Sequence, residues 1–228
     1  VAWSEGPRPR TVAEFAGANV LVTGASGGIG RSIALGMARC GAATLLLSGR
    51  SATKLEAVAA ECRAAVAEVG DGGCQVSILA CDLASPEAVT GLGADALTAC
   101  AGRGSGNVDV LVNNGGLSSR SPFVETSLDV DELLLRVNFL SGAQLARSLV
   151  PRMAARGRGR IIWIGSVQGL VGLPSRTSYA ASKFAVQGYC ESLRAEVAGS
   201  GIAVHCVSPG YVRTGLSTAA VTGSGAPY

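Results

Sequence analysis

Short, almost continuously apolar runs alternate with longer stretches of helical periodicity along most of the chain. Runs of this kind, without a polar residue at every second position, are typical of parallel strands buried on both faces. We predict strands at Asn19–Thr23, Ala43–Ser48, Gln75–Ala80, Val108–Val112, Arg160–Ile164 and Ile202–Val207, and helices over about 28–40, 52–69, 86–101, 131–155 and 178–198. Because crossovers between parallel strands are right-handed, this order gives a doubly wound parallel sheet, the three-layer α/β/α Rossmann fold.

The chain of 228 residues is predicted to form a single α/β domain, and its 48% of hydrophobic residues can build a sizeable core. We expect an irregular lead-in at 1–18, a Rossmann domain that carries the cofactor site and the catalytic site at 19–217, and a flexible tail at 218–228. The net charge is only +3 and the basic residues are scattered, which argues against nucleic-acid binding. No apolar run approaches the ~18 residues that span a bilayer, and residues 1–10 do not resemble a signal peptide.

The cysteines indicate the redox compartment. Their number, seven, is odd and no pair has C-x-x-C spacing, which indicates free thiols in a reducing, cytoplasm-facing location. The single histidine, His205, gives no basis for a zinc site, and we predict no metal. Because Val1 is not an initiator methionine, we expect a preceding segment. Any association with the endoplasmic reticulum membrane would be made through that segment.

A glycine-rich loop follows the first predicted strand and opens the first predicted helix. Gly24 permits a tight turn, whereas Gly28 and Gly30 allow the backbone and the helix to approach a pyrophosphate closely. The amino terminus of a helix also attracts the negative charge of phosphate groups. In this context the loop predicts a dinucleotide site. Its predicted contacts are Thr23, Gly24, Ser26, Gly28, Ile29 and Gly30.

The end of the second predicted strand indicates which dinucleotide binds. Sites for NAD(H) usually present an acidic side chain here to the free 2′-hydroxyl of the adenosine ribose. This chain has Gly49 at that place and then Arg50, whose planar guanidinium suits a 2′-phosphate. We therefore predict NADP(H) rather than NAD(H); the alternative is a solvated arginine at the start of a helix. Asp82, after the third strand, is placed to accept a hydrogen bond from the adenine amino group, or else it caps the next helix.

Ser166, Tyr179 and Lys183 form the predicted catalytic group. Tyr179 and Lys183 are four residues apart on a predicted helix and share one face, while Ser166 lies thirteen residues before Tyr179. A free phenol has a pKa near ~10, and we expect the ammonium group one turn away to lower it. The serine hydroxyl can then hold a carbonyl or alcohol oxygen for proton transfer. Tyrosine and lysine also occur with this spacing by chance, but the chain has only two lysines, Lys54 and Lys183, which favours a specific role.

Together these motifs resemble the short-chain dehydrogenase/reductase family from about residue 19 to residue 217. The resemblance is carried by the glycine loop, the Asn113-Asn114-Gly115-Gly116 turn, Asn138, Ser166, Tyr179, Lys183, and Ser208-Pro209-Gly210 with Thr214. It implies that Tyr179 is the catalytic acid or base and that Ser166 orients the substrate carbonyl. It also implies that Lys183 lowers the pKa of Tyr179 and binds the hydroxyls of the nicotinamide ribose.

The resemblance adds further residues to the expected site. It implies that Asn138 holds a water in a proton relay to Lys183, and that Asn113 supports the central strand beside the cofactor. The segment after the last strand would cover the nicotinamide, with Thr214 near its carboxamide. The cofactor-binding residues added in this way are Asn113, Gly115, Tyr179, Lys183, Pro209, Gly210, Val212 and Thr214.

The sequence departs from the family pattern at three places. Gly115 stands where the family usually has alanine, a loss of one methyl group that we expect to be tolerated. His205 stands where many members have asparagine, and on a buried strand we expect it to be structural rather than catalytic. Family members also continue with a substrate-covering segment and a last edge strand. Neither is visible here, so we expect a fragment that exposes a sheet edge and part of its substrate pocket.

The expected activity is that of an NADP(H)-dependent oxidoreductase acting on the CH–OH group of donors, which reduces the carbonyl of an apolar, lipid-like ketone to an alcohol. An epimerase or dehydratase with a bound nucleotide, and a non-catalytic dinucleotide-binding module, are the alternatives. The family commonly pairs its two long helices across a dimer interface, so we expect a homodimer or homotetramer. The apolar faces of these helices include Leu133, Leu134, Val137, Leu145, Leu149, Phe184 and Leu193.

Overall fold

The computed structural model describes residues 15–70, 73–216 and 219–228. Its strands are β1 (Asn19–Thr23), β2 (Thr44–Gly49), β3 (Gln75–Ala80), β4 (Val110–Asn113), β5 (Gly159–Ile164) and β6 (Ile202–Val207). Its α-helices are α1 (Gly28–Arg39), α2 (Ala52–Glu68), α3 (Pro86–Cys100), α4 (Leu128–Leu135), α5 (Ser141–Ala155) and α6 (Thr177–Glu196). All strand pairs are parallel, in the order β3-β2-β1-β4-β5-β6. The predicted doubly wound parallel sheet is confirmed.

The strand order reverses between β1 and β4, which are neighbours in the middle of the sheet. Val20 of β1 pairs with Leu45 of β2 on one side and with Val110 of β4 on the other. In sheets of this type the crevice outside the carboxyl ends of the strands, at the point of reversal, is the usual place for a ligand. The glycine loop leaves β1 at this edge, so the fold places the predicted cofactor loop at the reversal.

Two apolar cores cover the two faces of the sheet. Val20 and Val22 of β1 face the core shared with α1 and α2, while Leu21 between them faces the core shared with α3, α5 and α6. Trp163 on β5 anchors this second core and is almost fully buried. Because successive side chains of a strand point to opposite faces, a strand covered on both sides must be apolar throughout. This is the pattern from which the strands were predicted.

The long helix predicted over 131–155 begins earlier and is not regular. It starts at Leu128, and between α4 and α5 it contains a π-helical turn at Arg136–Leu140. One extra residue in a helical turn shifts the direction of the side chains, and such turns are frequent at functional sites. Here the turn carries Asn138, whose buried side chain points toward the loop after β4.

His205 lies in a different environment from the buried strand expected for it. Its strand, β6, is the edge strand of the described sheet, and the side chain is exposed. Val204 and Cys206 face the core on the α6 side, so His205 points to the opposite face. On that face α1 and α2 pack over β1, β2 and β3, and no helix of the described residues covers β6. The histidine is therefore a surface residue rather than a buried structural one.

The C-terminal segment 219–228 is bound to the domain, whereas the sequence predicted a flexible tail at 218–228, of which residue 218 lies outside the described residues. Val221 forms bridges to Ser119 and Pro227, and its N–H donates to the Ser118 carbonyl at 2.8 Å. Its side chain packs with Val130 and others in a small third apolar cluster. The tail is tied down because it completes this cluster and its backbone groups find partners. Separately, in the described part of the chain, no helix combines the length and the apolar character needed to cross a bilayer.

Candidate active site

A large open cleft of about 1190 Å³ lies at the carboxyl ends of the central strands. It brings together many of the residues that the sequence singled out. Eight of them line it, namely Ile29, Ser166, Tyr179, Lys183, Pro209, Gly210, Val212 and Thr214. The cleft is large enough for a dinucleotide with a second small molecule, since typical ligand pockets are roughly 300–1,000 Å³.

The glycine loop has the geometry of a phosphate cradle. A Cβ atom on Gly30 would lie only 2.2 Å from the Gly24 carbonyl oxygen, so the turn closes only with glycine at this position. Gly28 has a φ of +54° in the left-handed region, and a Cβ there would press on the Thr214 side chain at 3.1 Å. The residue before α1, Gly27, gives no side-chain cap. The first N–H groups of the helix are therefore open to an anion, as a bound pyrophosphate requires.

Thr23 and Asn114 fix this loop against the loop after β4. The Thr23 hydroxyl accepts hydrogen bonds from the backbone N–H groups of Asn114 and Gly115, at 3.1 and 3.0 Å. The Asn114 amide donates to the carbonyls of Thr23 and Gly24, both at 3.0 Å. Thr23 and Gly115 therefore hold the glycine loop and the loop after β4 together. A Cβ atom at Gly115 would lie 2.3 Å from the Leu83 side chain. The glycine that replaces the family's alanine fits this crowded position.

The asparagine that borders the cleft is Asn114, not Asn113. Asn113 is the last residue of β4, and its side chain is buried on the opposite side, where it donates to the Gly142 carbonyl at 3.4 Å. The expected support of the central strand by Asn113 agrees with this position, and its role as a cofactor-binding residue stays a prediction. Strand alternation explains the difference, because adjacent residues at the end of a strand point to opposite faces.

The adenosine end of the predicted site lies at the ends of β2 and β3. Arg50 is exposed immediately after β2, and Ser51 rather than Arg50 caps α2 by accepting from the Lys54 N–H. Asp82 accepts from the Ala84 N–H at 3.0 Å, whereas the cap of α3 is Ser85. Both candidate side chains therefore lie at the carboxyl edge of the sheet, and their contacts with the adenosine stay a prediction. The proposed capping role of Asp82 is replaced by a local turn.

Tyr179 lies on the first turn of α6 and is buried in the wall of the cleft. Burial raises the pKa of its phenol, while a hydrogen bond with Ser166 and the positive charge of Arg176 act in the opposite direction. The sequence predicted instead that Lys183 would lower this pKa. Arg176 contributes the positive charge that acts in this direction, while the Lys183 ammonium donates at 2.8 Å to the Ile164 carbonyl and lies 5.8 Å from the centre of the tyrosine ring.

Lys183 is one turn further along α6 and almost completely buried. Burial lowers its pKa from 10.5 to about 8, and the nearby Cys206 acts in the opposite direction. Its hydrogen bond to Ile164 holds the amine at the end of β5, beside the cleft. A lysine with such a pKa changes its protonation state near neutral pH, which is a frequent property of functional lysines.

Asn138 joins three parts of the site from the π-helical turn. Its side-chain oxygen accepts from the Leu117 N–H at 2.7 Å, and its amide donates to the Leu117 carbonyl at 3.0 Å and to the Ser182 hydroxyl at 2.9 Å. Both amide protons are used, so this side chain connects the loop after β4 to α6. Any contact of the side chain to a water would have to be made through the oxygen.

Sequence reasoning missed two arginines that line the cleft, Arg120 and Arg176. Arg176 directly precedes α6, and its guanidinium donates to the Ser118 hydroxyl at 2.8 Å and to the Ser119 carbonyl at 2.7 Å. Its position three residues before Tyr179, within one helical turn, was the available signal. Arg120 comes from the loop after β4, and only the tertiary structure brings it to the same wall.

The fold, the glycine cradle and the Ser166–Tyr179–Lys183 wall define the class of protein. The short chain dehydrogenase family model matches residues 18–224, and the chain belongs to this family of short-chain dehydrogenases/reductases. Its relatives include the dehydrogenase/reductase SDR family protein 7-like of Drosophila melanogaster, which is 41% identical and aligns over 94% of this chain and 63% of the relative. Dehydrogenase/reductase SDR family member 7B of Bos taurus is 40% identical over 92% of this chain and 62% of its own length.

Within the family, the Asn113–Gly116 turn, the stretch 126–130, the Tyr179–Lys183 pair and the stretch 208–212 most resemble member 7B, in agreement with these relatives. This chain nevertheless spans less than two thirds of the length of these two relatives. Among solved structures, the short-chain dehydrogenase from Sphingobium yanoikuyae in complex with NADPH has a TM-score of 0.76 and 31% identity. The match covers 87% of this chain and 73% of that one.

Proposed function

We propose that the protein is an NADP(H)-dependent oxidoreductase that reduces the carbonyl group of an apolar, lipid-like ketone to an alcohol. The observation that carries the proposal is the convergence of Ser166, Tyr179 and Lys183 on the wall of one cleft. The glycine cradle opens at the same edge of the sheet. Family membership supports oxidoreductase chemistry, and the geometry supports the individual roles.

The pKa of Tyr179 favours the role of a proton donor. Because burial raises this pKa above its ordinary value of 10.0, the phenol keeps its proton at neutral pH and can give it to a carbonyl oxygen. The hydrogen bond from Ser166 and the charge of Arg176 would then stabilise the phenolate that remains. Lys183, with a pKa of about 8, is mainly an ammonium ion at pH 7 and can supply the replacement proton. Bound NADPH would supply the hydride to the carbonyl carbon.

NADP(H) is the proposed cofactor because of the residues at the end of β2. Gly49 has no acidic side chain that would repel a 2′-phosphate, and the exposed, planar guanidinium of Arg50 can donate hydrogen bonds to one. The Sphingobium relative binds NADPH, which supports this choice. Pro209 accepts from the Val167 N–H at 3.0 Å, and the segment from Pro209 to Thr214 is proposed to cover the nicotinamide.

An apolar substrate is proposed from the rim of the cleft. Leu173, Tyr211 and Leu216 line it with 49%, 88% and 39% of their surface exposed. Exposed apolar side chains that are grouped around a cleft commonly mark a ligand or partner surface. A carbonyl at Tyr179 would place the rest of the substrate along these side chains.

We also propose that the protein forms a homodimer or homotetramer through α5 and α6. Their outer faces border a shallow groove of about 380 Å³ that includes Ala146, Val150, Tyr189 and Leu193. Sedimentation at micromolar concentration is expected to show a species of at least twice the monomer mass. A monomer at that concentration would contradict this assembly without affecting the proposed reaction.

The reaction is tested by NADPH oxidation with a panel of apolar ketones. Tyr179→Phe keeps the ring and removes the proton donor, so we expect turnover to fall by about 10²–10⁴-fold while NADPH binding persists. The matched control is Tyr189→Phe on the same helix, whose ring packs against Phe139 and Trp163 away from the cleft. Equal turnover in wild type and Tyr179→Phe would remove the tyrosine from the mechanism. NADPH binding without turnover of any ketone would favour a non-catalytic dinucleotide-binding module.

A further inference from the structure

Two cysteines that the proposed reaction does not use face each other between α6 and β6. Cys190 lies two turns after Lys183 on the buried face of α6. Cys206 lies on β6 and, like Val204 on the same strand, points toward α6. The two thiols are in hydrogen-bond contact. Thiols that already touch have to approach by only about 2 Å to form a disulfide, whose S–S length is ~2.05 Å.

The two thiols differ in their surroundings. Cys190 is completely buried in the apolar core, and its pKa is raised by the hydrogen bond to Cys206 and by burial. Cys206 is partly exposed, and its hydrogen bond with Cys190 lowers its pKa against the effect of burial. A hydrogen bond with Ser208 and the positive charges of Lys183 and Arg194 lower the pKa of Cys206 further. Because the thiolate is the nucleophilic form of cysteine, Cys206 is the reactive member of the pair.

Cys206 also touches the segment that carries the proposed catalytic serine. A Cβ atom at Gly165 would lie only 3.0 Å from the Cys206 sulfur. Gly165 lines the cleft and joins Ile164 to Ser166. The carbonyl of Ile164 accepts the hydrogen bond from the Lys183 ammonium at 2.8 Å. A covalent change at Cys206 is therefore transmitted to both ends of this short segment of backbone.

We infer that Cys206 is a peroxide-reactive modification site and that Cys190 is its resolving thiol, so that oxidation joins β6 to α6 by a disulfide. In the first step the Cys206 thiolate attacks hydrogen peroxide. An S–O bond forms and the O–O bond breaks, so that the sulfur is oxidised to a sulfenic acid and the leaving hydroxide takes up a proton to become water. In the second step the Cys190 sulfur loses its proton and attacks the sulfenic sulfur, and the S–S bond forms as a second water leaves.

The disulfide removes a negative charge from beside Lys183. In the reduced protein Cys206 acts to raise the pKa of Lys183, and a disulfide sulfur carries no charge. The charged groups of α6 that also act on the two thiols, Glu191 and Arg194, keep their charges on oxidation. The pKa of Lys183 therefore falls, and less ammonium ion is present to resupply the proton. This effect on turnover rests on the proposed carbonyl reduction, whereas formation of the disulfide does not.

The site is tested by treating the reduced protein with hydrogen peroxide, unfolding it, blocking the remaining thiols with iodoacetamide and mapping its peptides without reduction. We expect a Cys190–Cys206 linked peptide that is split by dithiothreitol. Cys100 is the matched control thiol, because it lies in the same core and burial raises its pKa to about 11. It should be recovered alkylated, and the Cys100→Ala variant should form the link as the wild type does. In Cys190→Ser the second step is blocked, so dimedone should trap the sulfenic acid at Cys206.

Turnover and the titration of Lys183 are then compared before and after oxidation. At pH 8, close to the pKa of Lys183, we expect NADPH-dependent turnover to fall about fivefold and to return with dithiothreitol, because a fall of about one unit in this pKa lowers the ammonium fraction from about a half to about a tenth. The signal of ¹³C-labelled Lys183 should titrate at a lower pH in the oxidised protein. A merely structural disulfide would leave this titration unchanged.

Two results would overturn the inference. One is a peptide map in which Cys100 is oxidised as readily as Cys206, or in which peroxide produces no Cys190–Cys206 link. The other is a link that forms while the titration of Lys183 stays the same. If the reduced protein binds NADPH but reduces no ketone, the proposed function fails instead, and the peptide map and the Lys183 titration still decide the modification site.

Discussion

The burial of Lys183 predicts an unusual dependence of stability on pH. Its amine has a pKa of about 8 in the folded protein, against 10.5 for a free lysine side chain. Each unit of pKa corresponds to ~1.36 kcal/mol, so holding the ammonium ion in the core at pH 7 costs about 3 kcal/mol. Above pH 8 the folded protein releases this proton while the unfolded chain keeps it up to about pH 10.5. The unfolded state then binds more protons, and stability contributed by this group rises with pH through that window.

Substitution by methionine, which has nearly the same shape, isolates the effect. Lys183→Met removes the cost of the buried charge at every pH and also removes the hydrogen bond to the Ile164 carbonyl. The loss of the hydrogen bond is common to all pH values, so it cancels when two pH values are compared. The stability of the variant relative to wild type is expected to be about 2 kcal/mol higher at pH 7 than at pH 9.5.

The measurement is urea unfolding of the protein without cofactor at the two pH values. Lys54→Met is the matched control, because Lys54 is the only other lysine and lies exposed on α2. Having two lysines also permits a direct test, since ¹³C-labelled lysine gives only two side-chain signals to titrate. A Lys183 signal that titrates near 10.5, or an equal effect of Lys183→Met at pH 7 and pH 9.5, would refute the reasoning.

Three further substitutions test the architecture of the site. Gly30→Ala introduces a methyl group 2.2 Å from a backbone oxygen of the glycine loop and should abolish NADPH binding. Gly36→Ala, in open space on the same helix, is the control and should stabilise the protein by about 1 kcal/mol. NADPH binding by Gly30→Ala, seen as a change in NADPH fluorescence, would contradict this prediction. Asn138→Leu leaves the partly buried N–H and carbonyl of Leu117 without their partner, and chemical unfolding should show a loss of about 3 kcal/mol. A loss below about 1 kcal/mol would argue against this role. Gly223→Ala places a methyl group 2.0 Å from a backbone oxygen and should release the C-terminal segment to proteolysis, with Gly172→Ala as the neutral control; equal cleavage rates would show that the segment is not held.

The dinucleotide loop and the proposed catalytic group could be recognised from the sequence because their chemistry is local. Gly24, Gly28 and Gly30 lie within seven residues, and Tyr179 and Lys183 lie within one turn of helix, so spacing alone places each of these two sets together. Ser166, thirteen residues before Tyr179, joins the group only through the fold. Spacing along the chain could not predict which of the two asparagines, Asn113 or Asn114, borders the cleft. The side to which a residue at the end of a strand points depends on where the strand stops, and strand ends are the least reliable part of a prediction.

The fold class followed from the sequence by itself, since strands covered on both faces must be apolar throughout and leave a continuous signal. Only the tertiary structure decided that burial raises the pKa of Tyr179 and that the charge of Arg176 acts in the opposite direction. It also decided that Arg120 meets Arg176 and that residues 219–228 are bound to the domain. These last contacts join residues that are far apart along the chain, and no local pattern of the sequence encodes them.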